Sequence, residues 1–248
     1  MSFVQVFMSA SSFFSQLYVK SSEITPYLCG YEGEVELKAI RPQQSNAQVV
    51  QELYSQIEQR NPEAGSAYWL TRTWSLLCWQ PTYLAFISVY GFQRVPTLTQ
   101  LIQYKTDCFV TGYQFDELTV EQGELDQVIV KAGEQLRRLF DEYREDMANW
   151  TRIRPGFADH IFGDAIIACL LQCFYAQQVS REQVFEHARL WLNACRLPLS
   201  LTDTLLEKLP SEQLVQVRKS CCLIYKCDGR GLCANCPRLP ENKELLAR

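Results

Sequence analysis

The chain has 248 residues, of which 47% are hydrophobic and 21% are charged, as in one fairly large globular domain or one domain with a small appendix. Its formal net charge of -4 gives no overall attraction to nucleic acid, so we expect no nucleic-acid partner. Eleven cysteines, in a sequence whose first residues lack the basic start of a secretory signal, favour a reducing compartment. Six scattered cysteines are expected to pack as small hydrophobic side chains: Cys29, Cys78, Cys108, Cys169, Cys173 and Cys195.

The first half of the chain predicts helices with a minor β element. Phe3, Phe7, Phe14 and Leu17 lie near helical spacing. We predict one helix over residues 46–60 and a second over 67–79, which Pro81 should end. The segment 83–92 fits either a helix or a short strand, and 108–115 alternates like a strand or hairpin arm.

The second half predicts further helices. An apolar stripe over 124–150 indicates a long amphipathic helix, weakened near Gly133. Pro155 and Gly156 predict a turn before a buried helix over about 159–177, whose apolar core is too short to cross a bilayer. Ser180 is placed as the N-cap of a helix that ends near Cys195. Two short helical runs over 202–208 and 211–219, the second capped by Ser211, should lead into the C-terminal segment.

Four cysteines near the C-terminus predict one metal site. Cys221 and Cys222 are adjacent, and Cys233 and Cys236 follow in a CxxC arrangement. Zinc and iron-sulfur clusters both accept four thiolates. Because adjacent side chains diverge, the first two thiols suit a binuclear cluster better than one small tetrahedral ion, although zinc and a metal-free segment stay open. Cys227, in the intervening loop, could replace a ligand or fill space.

The C-terminal segment resembles a known family. Cys221-Cys222-x10-Cys233-x2-Cys236, with Arg218 before it and Tyr225 within it, is similar to the C-terminal signature of the FhuF-like ferric-siderophore reductases. The resemblance implies that these four cysteines ligate a [2Fe-2S] cluster. Four thiolates complete the coordination of its two irons, so Cys227 is predicted to be a non-ligand. It also implies a cytoplasmic enzyme, an oxidoreductase that reduces siderophore-bound Fe(III) to Fe(II) and so releases iron.

The resulting fold class is mainly α with a minor β element (α+β). We expect a mainly helical siderophore-docking domain over 1–210 and an irregular [2Fe-2S]-binding segment over 211–248. The expected partners are a ferric siderophore and a separate electron-donor protein, because no nucleotide-binding or flavin-binding loop is present in the sequence. We expect no transmembrane segment, and peripheral association with the inner membrane stays open.

Positive charge flanks the cysteines. Arg218, Lys219, Lys226 and Arg230 are candidates for docking an anionic complex or donor protein, and solvated surface is the alternative. Five aromatic residues are candidates for a ligand platform, with core packing as the alternative: Trp69, Trp74, Trp79, Tyr83 and Trp150. No catalytic side chain is expected beyond the cluster.

Two other functions compete with the reductase hypothesis. The first is an iron-sulfur redox sensor or regulator, although the sequence has no basic recognition helix. The second is a zinc-stabilised binding protein without catalysis.

Overall fold

The computed structural model describes residues 9–208 and 213–247, which form a mainly helical structure with small antiparallel sheets, as predicted. The predicted positions Phe3 and Phe7 lie outside the described residues. The helices are α1 (Ala10–Ile24), α2 (Ala47–Arg60), α3 (Ser66–Phe92), α4 (Leu125–Ala148), α5 (Pro155–Tyr175), α6 (Arg181–Ala194) and α7 (Pro240–Leu246). The strands are β1 (Lys38–Ile40), β2 (Arg94–Pro96), β3 (Leu101–Thr106), β4 (Phe109–Phe115), β5 (Val120–Gln122), β6 (Leu205–Lys208) and β7 (Gln213–Gln216).

Helix α3 is the central element, and it packs against α1, α2, α4 and α5. The prediction that Pro81 ends this helix is wrong, because the helix continues through Pro81 to Phe92. A proline inside a helix costs roughly 3 kcal/mol. That cost is offset by the burial of side chains on both sides of it, including Leu77 and Leu84, at roughly 1.5–3 kcal/mol each. The ambiguous segment 83–92 is therefore helical.

Helices α4 and α6 form a close pair beside α3. Helix α4 is the predicted amphipathic helix, and it runs without a break through Gly133. Gly133 lies against α6, where an added Cβ would stand 2.5 Å from the Cβ of Ala194. At the start of α6, Ser180 and Gln183 form the predicted capping box.

Helix α5 begins earlier than predicted. Pro155 occupies its first turn, where a proline's fixed φ suits the helix and its missing N–H is not needed, so the predicted turn there is wrong. The helix is 21 residues long and apolar enough to cross a membrane by length and composition, with a mean hydropathy of 1.4. Its most apolar window is 61% buried inside the protein, which is typical of a core helix.

The strands form small sheets at the edges of the helical layers. Strands β1, β3 and β4 make one antiparallel sheet, which confirms a strand over 108–115, and β2 pairs with β5. The helical run predicted over 202–208 is correct only as far as Thr204, where a 3₁₀ helix (Leu199–Thr204) ends. Its remainder and the described part of 211–219 are wrong, because β6 and β7 form an antiparallel pair, in which β7 packs on α5. Ser211 and the expected domain boundary at 210/211 lie outside the described residues, so the two-part division stays a prediction.

Candidate metal centre

A buried carboxylate on α5 fixes the chain just before the first two cysteines. Asp164 is 3% exposed, and it accepts hydrogen bonds from the backbone N–H groups of Lys219 at 2.7 Å and Ser220 at 2.9 Å. The Arg218 guanidinium lies 3.6 Å from the same carboxylate. Burial raises the pKa of Asp164, and the two N–H donors and Arg218 oppose that rise. A carboxylate can be buried here because each oxygen has a donor, and it sets where Cys221 begins.

Further hydrogen bonds join the two cysteine-bearing ends of the segment. The backbone N–H of Arg218 donates to the carbonyl of Asn235 at 3.0 Å. The side-chain amide of Asn242, on α7, donates to the carbonyls of Ala234 and Cys236, both at 2.9 Å. Helix α7 therefore supports the CxxC turn, and the turn is tied to the strand that leads into the first two cysteines.

The four cysteine sulfurs form two pairs. The Sγ atoms of Cys221 and Cys236 are 3.6 Å apart, and those of Cys222 and Cys233 are 3.2 Å apart. Two thiolates on one tetrahedral ion lie about 3.8 Å apart when each metal-sulfur bond is about 2.3 Å. Each pair therefore has close to the spacing of two ligands on one metal ion. The adjacent cysteines diverge as predicted, since each contributes to a different pair.

This arrangement fits a binuclear cluster. Within residues 9–208 and 213–247, no group of three or more His, Cys, Asp or Glu side chains is placed to hold one metal ion. Two pairs of thiols instead match a cluster in which each of two irons takes two thiolates. The backbone N–H of Leu223 points to the sulfur of Cys221 at 3.5 Å, and such donors stabilise the charge of a coordinated thiolate.

Arg218 makes the environment of one pair more positive. Burial raises the pKa of Cys222, but hydrogen bonds with the Ile224 N–H and Cys233, together with the Arg218 guanidinium, bring that pKa below its usual value. Burial and the hydrogen bond to Cys222 raise the pKa of Cys233 to about 11. Iron binds the thiolate form, so Arg218 lies beside a sulfur that is readily available as a ligand.

Cys227 has a different environment from the four paired cysteines. It is 8% exposed, and it lies beside Tyr68 of α3. Burial, followed by the neighbouring Cys227 thiol, raises the pKa of Tyr68 to about 12. The next residue, Asp228, donates its backbone N–H to the carboxylate of Glu63 at 3.0 Å. The loop between the cysteine pairs is therefore attached to the start of α3.

A cavity of about 370 Å³ lies between α3 and α5 and reaches the Cys222/Cys233 pair. Its volume is in the range of small-molecule sites. One wall is the face of α3 that carries Arg72, Trp79 and Tyr83. The opposite wall is α5, where small side chains such as Ala165 leave space, and Arg218 lies beside the cysteines.

The predicted docking residues separate into two groups. Arg218 lines the cavity, whereas Lys219, Lys226 and Arg230 are exposed and lie outside its lining. Of the five aromatic candidates, Trp79 and Tyr83 line the cavity, and the other three pack elsewhere: Trp69, Trp74 and Trp150.

Sequence reasoning did not single out Asp164 or Arg72. Asp164 could have been identified from its position, because it is a carboxylate inside the most apolar helix of the chain and a buried charge needs partners from another segment. No local pattern identifies Arg72, because only the packing of α3 against α5 brings it to the cysteines.

One comparison with known proteins bears on this segment. Residues 218–238 match the family model described as the FhuF 2Fe-2S C-terminal domain. All four paired cysteines, Cys227 and Arg218 lie within the matched range. The match confirms the family resemblance over these residues, and the cofactor is a [2Fe-2S] cluster.

Proposed function

We propose that this FhuF-like iron-sulfur protein is a cytoplasmic ferric-siderophore reductase. Its [2Fe-2S] cluster would be held by the two sulfur pairs, Cys221 with Cys236 and Cys222 with Cys233. When bound, the cluster supplies one electron at a time at low potential, as all-thiolate ligation favours. A separate low-potential donor protein provides that electron, and a siderophore-bound Fe(III) accepts it.

The observation that carries this proposal is the position of the Cys222/Cys233 pair at the end of a ligand-sized cavity. Electron transfer needs proximity between donor and acceptor, but it needs no nucleophile and no general base. The residues around the pair position it and set its electrostatic environment. Asp164 fixes the chain, and Arg218 places positive charge beside the sulfurs.

The chemistry of iron explains why one electron is enough. Siderophores hold Fe(III) through hard, anionic oxygen atoms, and Fe(II), with its lower charge, binds those oxygens far less tightly. One electron leaves the protein, one Fe(III) becomes Fe(II), and the iron is then exchanged readily. A redox sensor could use the same cluster, but it has no need of a cavity beside one sulfur pair, so the cavity favours the reductase.

The test is anaerobic mixing of the reduced holoprotein with a ferric siderophore in the presence of a coloured Fe(II) chelator. We expect the visible spectrum of the oxidised cluster to return as the Fe(II) complex appears. Apoprotein treated with the same reductant and then desalted is the control. A reduced cluster that persists unchanged in the presence of hydroxamate, catecholate and carboxylate ferric complexes would contradict the proposal.

A further inference from the structure

We propose that the cavity between α3 and α5 is a groove in which the iron complex docks. Arg72 and Arg218 bind the anionic oxygens that surround its metal. The inference rests on the proposed function and assigns it a location. It also implies that the electron leaves the protein on the Cys222/Cys233 side, because this pair lines the groove.

One guanidinium in the groove is placed to bind anionic oxygens. Arg72 lies half-buried on the groove wall, and among the described residues it has no carboxylate partner. Its guanidinium is 5.6 Å from the ring centre of Phe109, which holds it along the wall. The charge of Arg218 is shared with Asp164, the acidic side chain on the opposite wall. Arg72 is therefore a guanidinium that remains available for a ligand, and guanidinium groups donate in a geometry that suits paired oxygens.

The aromatic wall is already fixed without a ligand. The indole N–H of Trp79 donates to the carbonyl of Val110 at 3.1 Å, and its ring meets the ring of Tyr83 edge to face, 5.9 Å between centres. The Tyr83 hydroxyl accepts a hydrogen bond at 3.2 Å from Gln172 of α5, which joins the two walls. A wall that is held in place costs little entropy on binding, and its rings offer flat surface to the organic part of a chelate.

The groove therefore combines three features: a guanidinium that has no carboxylate partner in the described part of the chain, a rigid aromatic wall and direct access to one sulfur pair. Catecholate and other oxygen-rich iron complexes present anionic oxygens on a rounded, partly aromatic surface. Arg72 and Arg218 meet the oxygens, and Trp79 and Tyr83 meet the organic rings. The small side chain of Ala165 on the opposite wall leaves the space that the complex would fill.

Binding is tested apart from electron transfer with an anionic gallium(III) tris-catecholate complex. Gallium(III) resembles Fe(III) in charge and size but accepts no electron here. Its affinity for the oxidised holoprotein is measured by calorimetry, for wild type, Arg72→Gln and Ala165→Phe. The matched control is Arg189→Gln, which removes the same charge from an exposed position on α6. Visible absorption of each variant confirms that the cluster is in place.

We expect Arg72→Gln to raise the dissociation constant about tenfold, the loss of one charge-assisted hydrogen bond. Ala165→Phe should weaken binding by filling the groove, and Arg189→Gln should bind as wild type does. Wild-type affinity in Arg72→Gln would overturn the inference, even if the ferric complex is still reduced. If the gallium complex binds in the groove but the corresponding ferric complex is not reduced, the docking site is supported and the proposed function is contradicted.

Discussion

At the scale of single residues, Asp164 determines the position of the cysteine segment. Its two oxygens accept the N–H groups of Lys219 and Ser220, and its own carbonyl accepts the side-chain amide of Gln216 at 2.9 Å. One residue of the core helix α5 therefore holds the chain at two points: its backbone carbonyl contacts the end of β7, and its side chain contacts the residues just before Cys221. The segment has few apolar side chains of its own to bury, so these polar contacts hold it on the helical body.

We predict that Asp164→Asn lowers the free energy of unfolding by about 1–3 kcal/mol, because one buried N–H loses its acceptor and faces the new amide group. Loss of the cluster on dilution into chelator should be faster as well. Denaturant unfolding and the decay of visible absorption measure the two effects. Asp203→Asn, at an exposed position, should change stability by less than about 0.5 kcal/mol. Equal stability of the two variants would show that Asp164 does not anchor the segment.

Cys227 is predicted to be a structural residue of the cluster loop. Its thiol is buried beside Tyr68, and serine is close to cysteine in size and shape. Cys227→Ser should therefore keep the visible spectrum and the electron paramagnetic resonance signal of the reduced cluster. A changed signal in this variant would show that a fifth cysteine takes part in ligation.

At the scale of elements, close helix packing outweighs helix propensity at Gly133. Replacing glycine by alanine inside a helix gains about 1 kcal/mol of propensity. At Gly133 the new methyl group would stand 2.5 Å from the Cβ of Ala194 and 3.3 Å from the sulfur of Cys195. Overpacking of this kind costs about 1–3 kcal/mol. The contact between α4 and α6 therefore requires glycine.

We predict that Gly133→Ala is destabilising by up to about 2 kcal/mol, whereas Gly91→Ala, in the exposed last turn of α3, is neutral or stabilising by up to about 1 kcal/mol. A Cβ at Gly91 would meet nothing within 4 Å. Thermal or denaturant unfolding of the two variants gives the comparison. If Gly133→Ala proved as stable as Gly91→Ala, α4 and α6 could not be packed this closely.

The sequence predicts some elements well and others poorly, for physical reasons. Helices α2, α4 and α6 carry local signals, namely periodic apolar residues and the cap at Ser180, and these signals determine them. The continuation of α3 through Pro81 depends on burial against four other helices, which no local pattern records. The sequence of the β6–β7 pair predicts helix because short apolar runs fit either period. Leu214 and Gln216 face inward only because α5 lies beneath them.

The candidate site divides in the same way. The spacing of the four cysteines predicted a single site, and their adjacency predicted divergent side chains, which appear as two sulfur pairs. The groove could not be predicted, because Arg72 and Ala165 belong to helices far apart in the sequence. Its existence depends on how α3 and α5 pack above the cysteine segment.

At the scale of the whole molecule, positive charge is concentrated near the cysteines in a chain of net charge -4. Lys226 and Arg230 are exposed in the loop between the two sulfur pairs. Local positive charge accelerates the encounter with an anionic complex, and added salt screens it. These residues are therefore expected to affect association, while Arg72 and Arg218 act within the groove.

We predict that Lys226→Glu combined with Arg230→Glu slows oxidation of the reduced cluster by an anionic ferric complex about tenfold at low ionic strength and much less at high ionic strength. The control, Arg138→Glu combined with Arg189→Glu, makes the same change in net charge at exposed positions on α4 and α6. Stopped-flow rates over a salt titration distinguish the two. Identical salt dependence in both double variants would show that Lys226 and Arg230 are ordinary solvated surface residues with no role in association.

The central claim is that Cys221, Cys222, Cys233 and Cys236 hold one [2Fe-2S] cluster. The most direct measurement is the iron and acid-labile sulfide content of the purified wild type and of the four single Cys→Ser variants. We predict about two irons and two sulfides per chain in the wild type, and a lower content or an unstable cluster in every variant. Full occupancy in two or more of the four variants would contradict the claim.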